Sequence, residues 1–309
     1  MLATMRLRGG VHFRCEFASP WGMAMEPTRD APFHIVVRGN FWLRVADRRE
    51  PIALHAGDLV VMPQGGAHAL LDSPGGAARP VAEIVAGQSL DRYGPVVNEG
   101  DGQPASILCG YFRFDRNPPH PLLDALPTLI HVKGADSQDL AWLNATLNFM
   151  IHETRAARPG AEAVVDRLAA VLFIQVLRAY IESGESSPGM LAAFADRQIG
   201  AALELMHRRP TEAWTLDGLA RQVGLSRSVF AARFQRLVRQ PPLQYLTLWR
   251  MQLARTQLTS TRLPLARIAE RVGYGTEASF SKAFKKIVGT SPGQYRRQAG
   301  PGVDAAGQG

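Results

Sequence analysis

Four side chains in the first 110 residues carry chemistry that a simple apolar core would not need: Cys15, Cys109, His34 and His68. Two thiols suit reversible oxidation, and two imidazoles suit metal ligation or proton transfer. Cys15 lies where Val11, Phe13, Cys15 and Phe17 alternate with His12, Arg14 and Glu16, the period of a half-buried strand. Its thiol is therefore expected on the apolar face, with Arg14 on the other, and the plain alternative is a cysteine packed as a small hydrophobe. Both cysteines fall on predicted strands of one β-domain, Cys15 near its start and Cys109 near its end. Terminal strands of a jelly roll can be neighbours, so a disulfide or another oxidised form is feasible. His34 and His68 are weak metal candidates, because a stable site needs three or four ligands. The expectation is no metal and no cofactor.

A second kind of chemistry resides in the C-terminal third. Residues 199–298 hold 17 Lys/Arg against 5 Asp/Glu, a net +12, whereas the whole chain is only +8. The remainder, with 18 basic and 22 acidic residues, is mildly acidic. A polyanion is expected at one end only. The same third contains an internal repeat. Leu219-Ala220-Arg221-Gln222-Val223-Gly224-Leu225-Ser226 parallels Ile268-Ala269-Glu270-Arg271-Val272-Gly273-Tyr274-Gly275, and Phe230, Phe234, Pro242 and Tyr245 parallel Phe280, Phe284, Pro292 and Tyr295. One structural unit is used twice.

Each copy reads helix, glycine turn, helix. Gly224 and Gly273 sit where the turn needs a positive φ, and Ser226 and Thr276 are natural N-caps for the following helix. The phenylalanine pairs, at i and i+4, dock that helix on a small core and leave its other face polar and basic. That is the arrangement of a recognition helix in a major groove. Between the copies, Leu243–Leu258 is an uninterrupted helical pattern that can set their separation.

The second copy, AERVGYGTEASFSKAFKKIVGTSPGQYRR, closely resembles the signature of AraC/XylS transcription regulators, and WRMQLA (Trp249–Ala254) resembles that family's linker helix. The resemblance covers about residues 199–298 and implies double-stranded DNA as partner, with action as activator or repressor on RNA polymerase. By position it implies base-reading roles for Arg227, Ser228, Ala231 and Ala232 in the first unit and Glu277, Ala278, Ser281 and Lys282 in the second. Alanine at 231 and 232 departs from the long polar side chains common there, leaving apolar contact with a thymine methyl. Arg233, Arg236, Arg250, Lys285, Lys286 and Arg296 are expected on phosphates, which position without specifying.

The elements that hold the thiols and imidazoles read as β. Phe33–Val37, Phe41–Val45, Ile52–Leu54, Leu59–Met62 and Ile107–Phe114 are short apolar runs punctuated by Gly39-Asn40, Ala56-Gly57 and Gly65-Gly66, as in a sandwich or small barrel. Gly57-x5-Pro63-x-Gly65-x2-His68-x3-Asp72 resembles the second cupin motif, with Asp72 where cupins usually have Asn. The HxH first motif is absent, so the resemblance implies a cupin-like sensor domain rather than a cupin metalloenzyme. The sequence is also similar to regulators of this branch that sense reactive chlorine or electrophiles through cysteines in similar places. An organic effector in the barrel is the other input weighed.

The expected fold class is a two-domain α+β chain. A cupin-like double-stranded β-helix spans residues 1–120, a helical connector 121–185, an all-α tandem helix-turn-helix domain 199–298, and a disordered tail 299–309. Within the connector, Gln138–Glu153 and Ala161–Glu182 read as amphipathic helices. The apolar stripe of the second (Val164, Val165, Leu168, Val171, Leu172, Val176, Tyr180) is wider than a lone connector needs, so it either forms a homodimer interface or packs on the β-domain. Two cysteines in 309 residues argue against a disulfide scaffold. MLATMRLRGG is followed by no apolar run of a secretory signal, and Leu168–Leu177 is too short to cross a bilayer. The cytoplasm is therefore expected, with no membrane. A metalloenzyme with a DNA-binding appendage and a purely architectural DNA-binding protein are the rivals from other classes.

Overall fold

The computed structural model describes residues 7–86, 95–98, 100–114, 123, 125–134, 145–146, 148–150, 152–153, 158–183 and 189–298. Six strands form one sheet: β1 (Leu7–Ala18), β3 (Ala31–Arg38), β6 (Leu59–Val61), β9 (Pro95–Val97), β10 (Pro104–Phe114) and β11 (Ile130–Val132), in the order β11-β6-β3-β10-β1-β9. A second sheet, ordered β5-β4-β7-β2-β8, contains β2 (Gly22–Met25), β4 (Phe41–Val45), β5 (Ile52–Leu54), β7 (His68–Leu71) and β8 (Arg79–Pro80). A short helix, α1 (Val81–Ala86), follows β8.

The six-stranded sheet is covered on both faces, and the parity of its side chains says by what. On β10, Ala105, Ile107 and Cys109 point between the sheets, into a core shared with Met23, Phe41, Leu43 and Leu70. Leu108, Phe112 and Phe114 point the other way, against helix α2 (Ala161–Glu182). β3 and β6 divide likewise, with Ile35, Leu59 and Val61 toward the helix and Val36 and Val60 toward the barrel interior. β1 departs from the simple alternation. A bulge between Val11 and Phe13 switches faces, so Val11 packs on the helix side while Phe13, Cys15 and Phe17 line the interior.

The stretch expected to be a helical connector is only partly so. β11 lies within it and pairs with β6, which extends the six-stranded sheet. Helix α2 has the predicted ends, and its Val165, Leu172, Val176 and Tyr180 are buried on the sheet rather than offered to a partner. Close approach needs Gly9, where a Cβ would come within 2.5 Å of the Ala169 methyl. The segment Gln138–Glu153 lies largely outside the described residues.

The C-terminal domain follows α3 (Met190–Ala195), whose Leu191 joins the core under α2 while Met190 and Ala193 join the first helix-turn-helix core. That core therefore begins nine residues before the expected boundary at 199. Then come α4 (Arg197–Arg208), α5 (Leu216–Gln222), α6 (Arg227–Val238), α7 (Pro242–Ser260), α8 (Leu265–Arg271), α9 (Glu277–Val288) and α10 (Pro292–Gln298). The helices of the repeat match in length, α5 and α8 each spanning 7 residues and α6 and α9 each 12, while the turn between them is one residue longer in the second copy. Gly224 and Gly273 adopt φ of 69° and 84°, and Ser226 and Thr276 accept from the N–H groups of Val229 and Ser279.

The copies differ at the C-cap of the second helix. Gly289 takes φ 88° there, while the first copy forces Arg239 to φ 65°. A side chain in that region costs about 1–2 kcal/mol, partly offset by the entropy glycine loses on folding. Arg239→Gly should therefore stabilise the first unit by about 0.5–1 kcal/mol in denaturant unfolding, and an unchanged midpoint would show that the strain is relieved elsewhere.

Candidate nucleic-acid interface and buried thiol site

Each recognition helix is fixed by what lies beneath it. Phe230 and Phe234 of α6 are fully buried with Leu203, Leu219 and Tyr245, and Phe280 and Phe284 of α9 are fully buried with Ile268, Met251 and Leu258. Helix α7 serves both cores, giving Tyr245 and Leu246 to the first and Met251, Ala254 and Leu258 to the second. At 19 residues it is about 28 Å long.

With those faces buried, the outward set follows. Arg227, Ser228 and Ala232 are exposed on α6 and Ala231 is half-buried; Glu277, Ala278 and Lys282 are exposed on α9 and Ser281 is half-buried. Arg227 lies 3.7 Å from Asp217 across an exposed pair of side chains. Sequence reasoning missed Val229, which is half exposed on the first turn of α6 beside Ser228. Its position between two assigned residues and the phenylalanine anchor was the available signal.

The six expected phosphate contacts divide in two. Arg236, Lys285 and Lys286 are exposed. The other three guanidinium groups bind the protein itself. Arg233 donates to Asp196 from Nε at 2.9 Å and to Gln198 at 2.8 Å. Asp196 also caps α4, accepting from the N–H groups of Gln198 and Ile199. Burial would raise its pKa, but the Ile199 N–H and Arg233 outweigh that and hold its carboxyl below the usual range. Arg250 donates to the carbonyls of Pro210 and Glu212 at 2.7 and 2.9 Å. Arg296 donates to the Leu263 carbonyl at 2.6 Å. Each is half-buried, so its donor fork is taken up by protein oxygens, side-chain ones for Arg233 and backbone carbonyls for Arg250 and Arg296.

The thiol site lies in the barrel interior. β1 and β10 pair antiparallel with Phe13 opposite Cys109 and Cys15 opposite Ile107, so the two cysteines are diagonal neighbours on one face. Both are buried in the same cluster, on paired strands. Burial, then the Cys15 thiol, pushes the Cys109 pKa well up. From β3, His34 brings Nδ1 to 3.1 Å from Cys109 Sγ, and its Nε2 lies 2.8 Å from Nε2 of His68 at the start of β7. His68 Nδ1 lies 2.8 Å from the Gly66 carbonyl. Two nitrogens bound to one zinc at 2.0–2.1 Å would stand about 3.3 Å apart, so this contact is a hydrogen bond and not a split ligand pair. Among the described residues no group of three or more His, Cys, Asp or Glu side chains is arranged to hold a metal.

The barrel interior around the site is filled by Phe17, Trp21, Met23, Phe41 and Leu70. A cleft of about 440 Å³ opens beside it, lined in part by Trp21, Arg79, Glu83 and Asn98.

Comparison with known proteins decides what these two halves make together. The cupin family matches residues 1–182, and a helix-turn-helix domain family matches residues 219–298. A putative AraC-like transcription regulator of Streptomyces antibioticus is 34% identical over 291 residues, covering 91% of each chain. This chain is an AraC-family transcription regulator.

The HTH-type transcriptional regulator AlkR of Acinetobacter baylyi is 32% identical, with 86% of this chain and 87% of that one covered. The RCS-specific HTH-type transcriptional activator RclR of Escherichia coli is 29% identical, covering 81% and 78%. The regulator binds DNA through its helical domain and carries an N-terminal cupin domain, as the two resemblances implied. No described helix is long and apolar enough to cross a membrane.

Within this regulator, Lys282→Ala should relax base preference at one position of the operator by about 1–3 kcal/mol. Arg236→Ala should weaken all sequences alike and lower the salt slope by roughly 1. Binding titrations on specific and random duplexes check both, and equal losses on the two for Lys282→Ala would remove it from the base-reading set.

Proposed function

We propose that this regulator is switched by an oxidant through Cys15 and Cys109, in the cytoplasm, with operator DNA and RNA polymerase as its partners and no enzymatic turnover. The observation that carries the reading is the pair of buried thiols, diagonal neighbours on paired strands inside a filled barrel. An organic effector would have to displace that packing or settle in the cleft beside it. The name of the Escherichia coli relative, RCS-specific, is consistent with an oxidant input. On the DNA side, Arg227, Ser228, Ala231 and Ala232 with Glu277, Ala278, Ser281 and Lys282 read bases. Arg236, Lys285 and Lys286 take the phosphates, while Arg233, Arg250 and Arg296 hold the domain together.

Oxidation acts only if it favours one of two conformations. A Cys15–Cys109 bond closes a loop of roughly 95 residues, worth about 4–5 kcal/mol if unstrained. Part of that, delivered to one domain arrangement, changes DNA affinity more than tenfold. DNA binding and reporter output after mild oxidant are expected to shift for the parent and to stay fixed for Cys15→Ser and Cys109→Ser. A response that survives both substitutions would move the input to the cleft.

A homodimer fits the outer face of α2, where Val171 is 47% exposed and Val164 and Ile174 are half-buried.

A further inference from the structure

The carbonyl of Gly66 fixes every proton in the chain that ends at Cys109. A carbonyl oxygen only accepts, so His68 carries its hydrogen on Nδ1. A neutral imidazole has one N–H, so His68 Nε2 accepts, and His34 Nε2 must be the donor across their 2.8 Å contact. His34 Nδ1 is then a bare acceptor, and the atom it faces at 3.1 Å is the Cys109 sulfur, whose thiol donates to it. Burial lowers the pKa of both histidines, in keeping with neutral rings, with His68 and His12 adding to the effect at His34 and the Gly66 carbonyl opposing it at His68. The titratable groups acting on the chain are Cys15 and His12 from β1, Cys109 from β10, His34 from β3 and His68 from β7. A base is therefore aimed at one of the two sulfurs, with a second base behind it.

We propose that His34 and His68 form a proton-accepting relay that makes Cys109 the attacking sulfur when the disulfide with Cys15 forms. The inference rests on the oxidant-responsive reading above and names its machinery. With hypochlorous acid as the oxidant, the Cys15 sulfur takes the chlorine, and its thiol proton leaves with the hydroxide as water. The Cys109 sulfur then attacks the Cys15 sulfur. The S–S bond forms, the S–Cl bond breaks, and chloride departs with the electron pair. The Cys109 proton passes to His34 Nδ1 while the Nε2 proton of His34 passes to His68 Nε2. His68 ends as an imidazolium held by the Gly66 carbonyl. Two thiols are oxidised to one disulfide and one hypochlorous acid is reduced to chloride and water. Cys109 needs this help because burial keeps its thiol protonated.

The test uses the full-length protein and one equivalent of hypochlorite, with disulfide followed by rapid alkylation quench and mass measurement. Parent protein is expected to close the bond at a rate nearly independent of pH from about 6.5 to 8.5, the base doing what hydroxide would otherwise do. His68→Gln keeps an acceptor for His34 Nε2, so the resting fold is retained, but it cannot take up the proton. His68→Gln and His34→Gln should both be slower by about 10²-fold at pH 7 and gain about tenfold per pH unit, with the same disulfide at the end point. If His34→Gln fails to fold, His68→Gln decides alone. A His68→Gln protein as fast and as pH-independent as the parent overturns the relay and leaves the redox switch standing. A parent protein that forms no Cys15–Cys109 bond overturns the switch itself, and the relay with it.

Discussion

Phe284→Ala is expected to unfold the second helix-turn-helix unit at a cost of about 3–5 kcal/mol, while the first unit stays folded. Phe284 is fully buried, with its ring centroid 5.6 Å from those of both Phe280 and Tyr295. Truncation leaves a cavity that seven-residue helices such as α8 and α10 are too short to close by themselves. Such a loss exceeds what one small unit can hold in reserve, since whole domains are stable by only about 5–15 kcal/mol. Hydrogen exchange should lose protection across residues 265–298 and keep it across 197–238. On DNA, preference should vanish over one half of the operator and persist over the other. Even loss of protection in both units would instead mean that α7, by packing into the two cores at once, welds them into one cooperative body.

The second large effect separates two adjacent residues of α2. Leu172 is fully buried under the six-stranded sheet beside Phe173, whereas Val171 next to it is 47% exposed. Leu172→Ala should destabilise the N-terminal domain by about 2–5 kcal/mol, and Leu172→Asp should prevent its folding, because a carboxylate there has no partner. Val171→Asp should leave the melting temperature of the domain nearly unchanged and, if the outer face of α2 pairs two copies, convert the protein to a monomer. Sedimentation velocity at micromolar concentration reads the second outcome and circular dichroism the first. Val165 and Leu172 are unsuited as probes of assembly, since both are core residues whose loss reports folding.

The C-terminal domain was almost fully legible in the sequence. Its elements are local: a helix, a glycine with positive φ and a capped second helix are all specified within some twenty residues, and an internal repeat states the rule twice. The exposed faces of α6 and α9 followed from the phenylalanine spacing alone. What stayed hidden was the role of Arg233, Arg250 and Arg296. A guanidinium on a helix face reads the same whether its oxygens belong to a phosphate or to a backbone carbonyl forty residues away, and Asp196, Pro210, Glu212 and Leu263 are brought there only by packing.

In the N-terminal domain the short apolar runs marked several strands. β4 and β5 have the predicted bounds, whereas β11 sits in what read as connector because three residues carry too little periodicity to declare themselves. Pairing order is non-local. The bulge after Val11 reverses which core that strand's residues enter, and no residue type announces it.

The sequence by itself determined the class of protein, the tandem recognition helices and the presence of two thiols and two histidines in one β-domain, because composition, repeat and period are properties of neighbours along the chain. Only the tertiary structure decided that Cys15, Cys109, His34 and His68 form one connected line, since they come from four different strands whose register is set by long-range hydrogen bonds. The direction of every proton in that line depends on a single backbone carbonyl, and a carbonyl's aim exists only once the chain has folded around it.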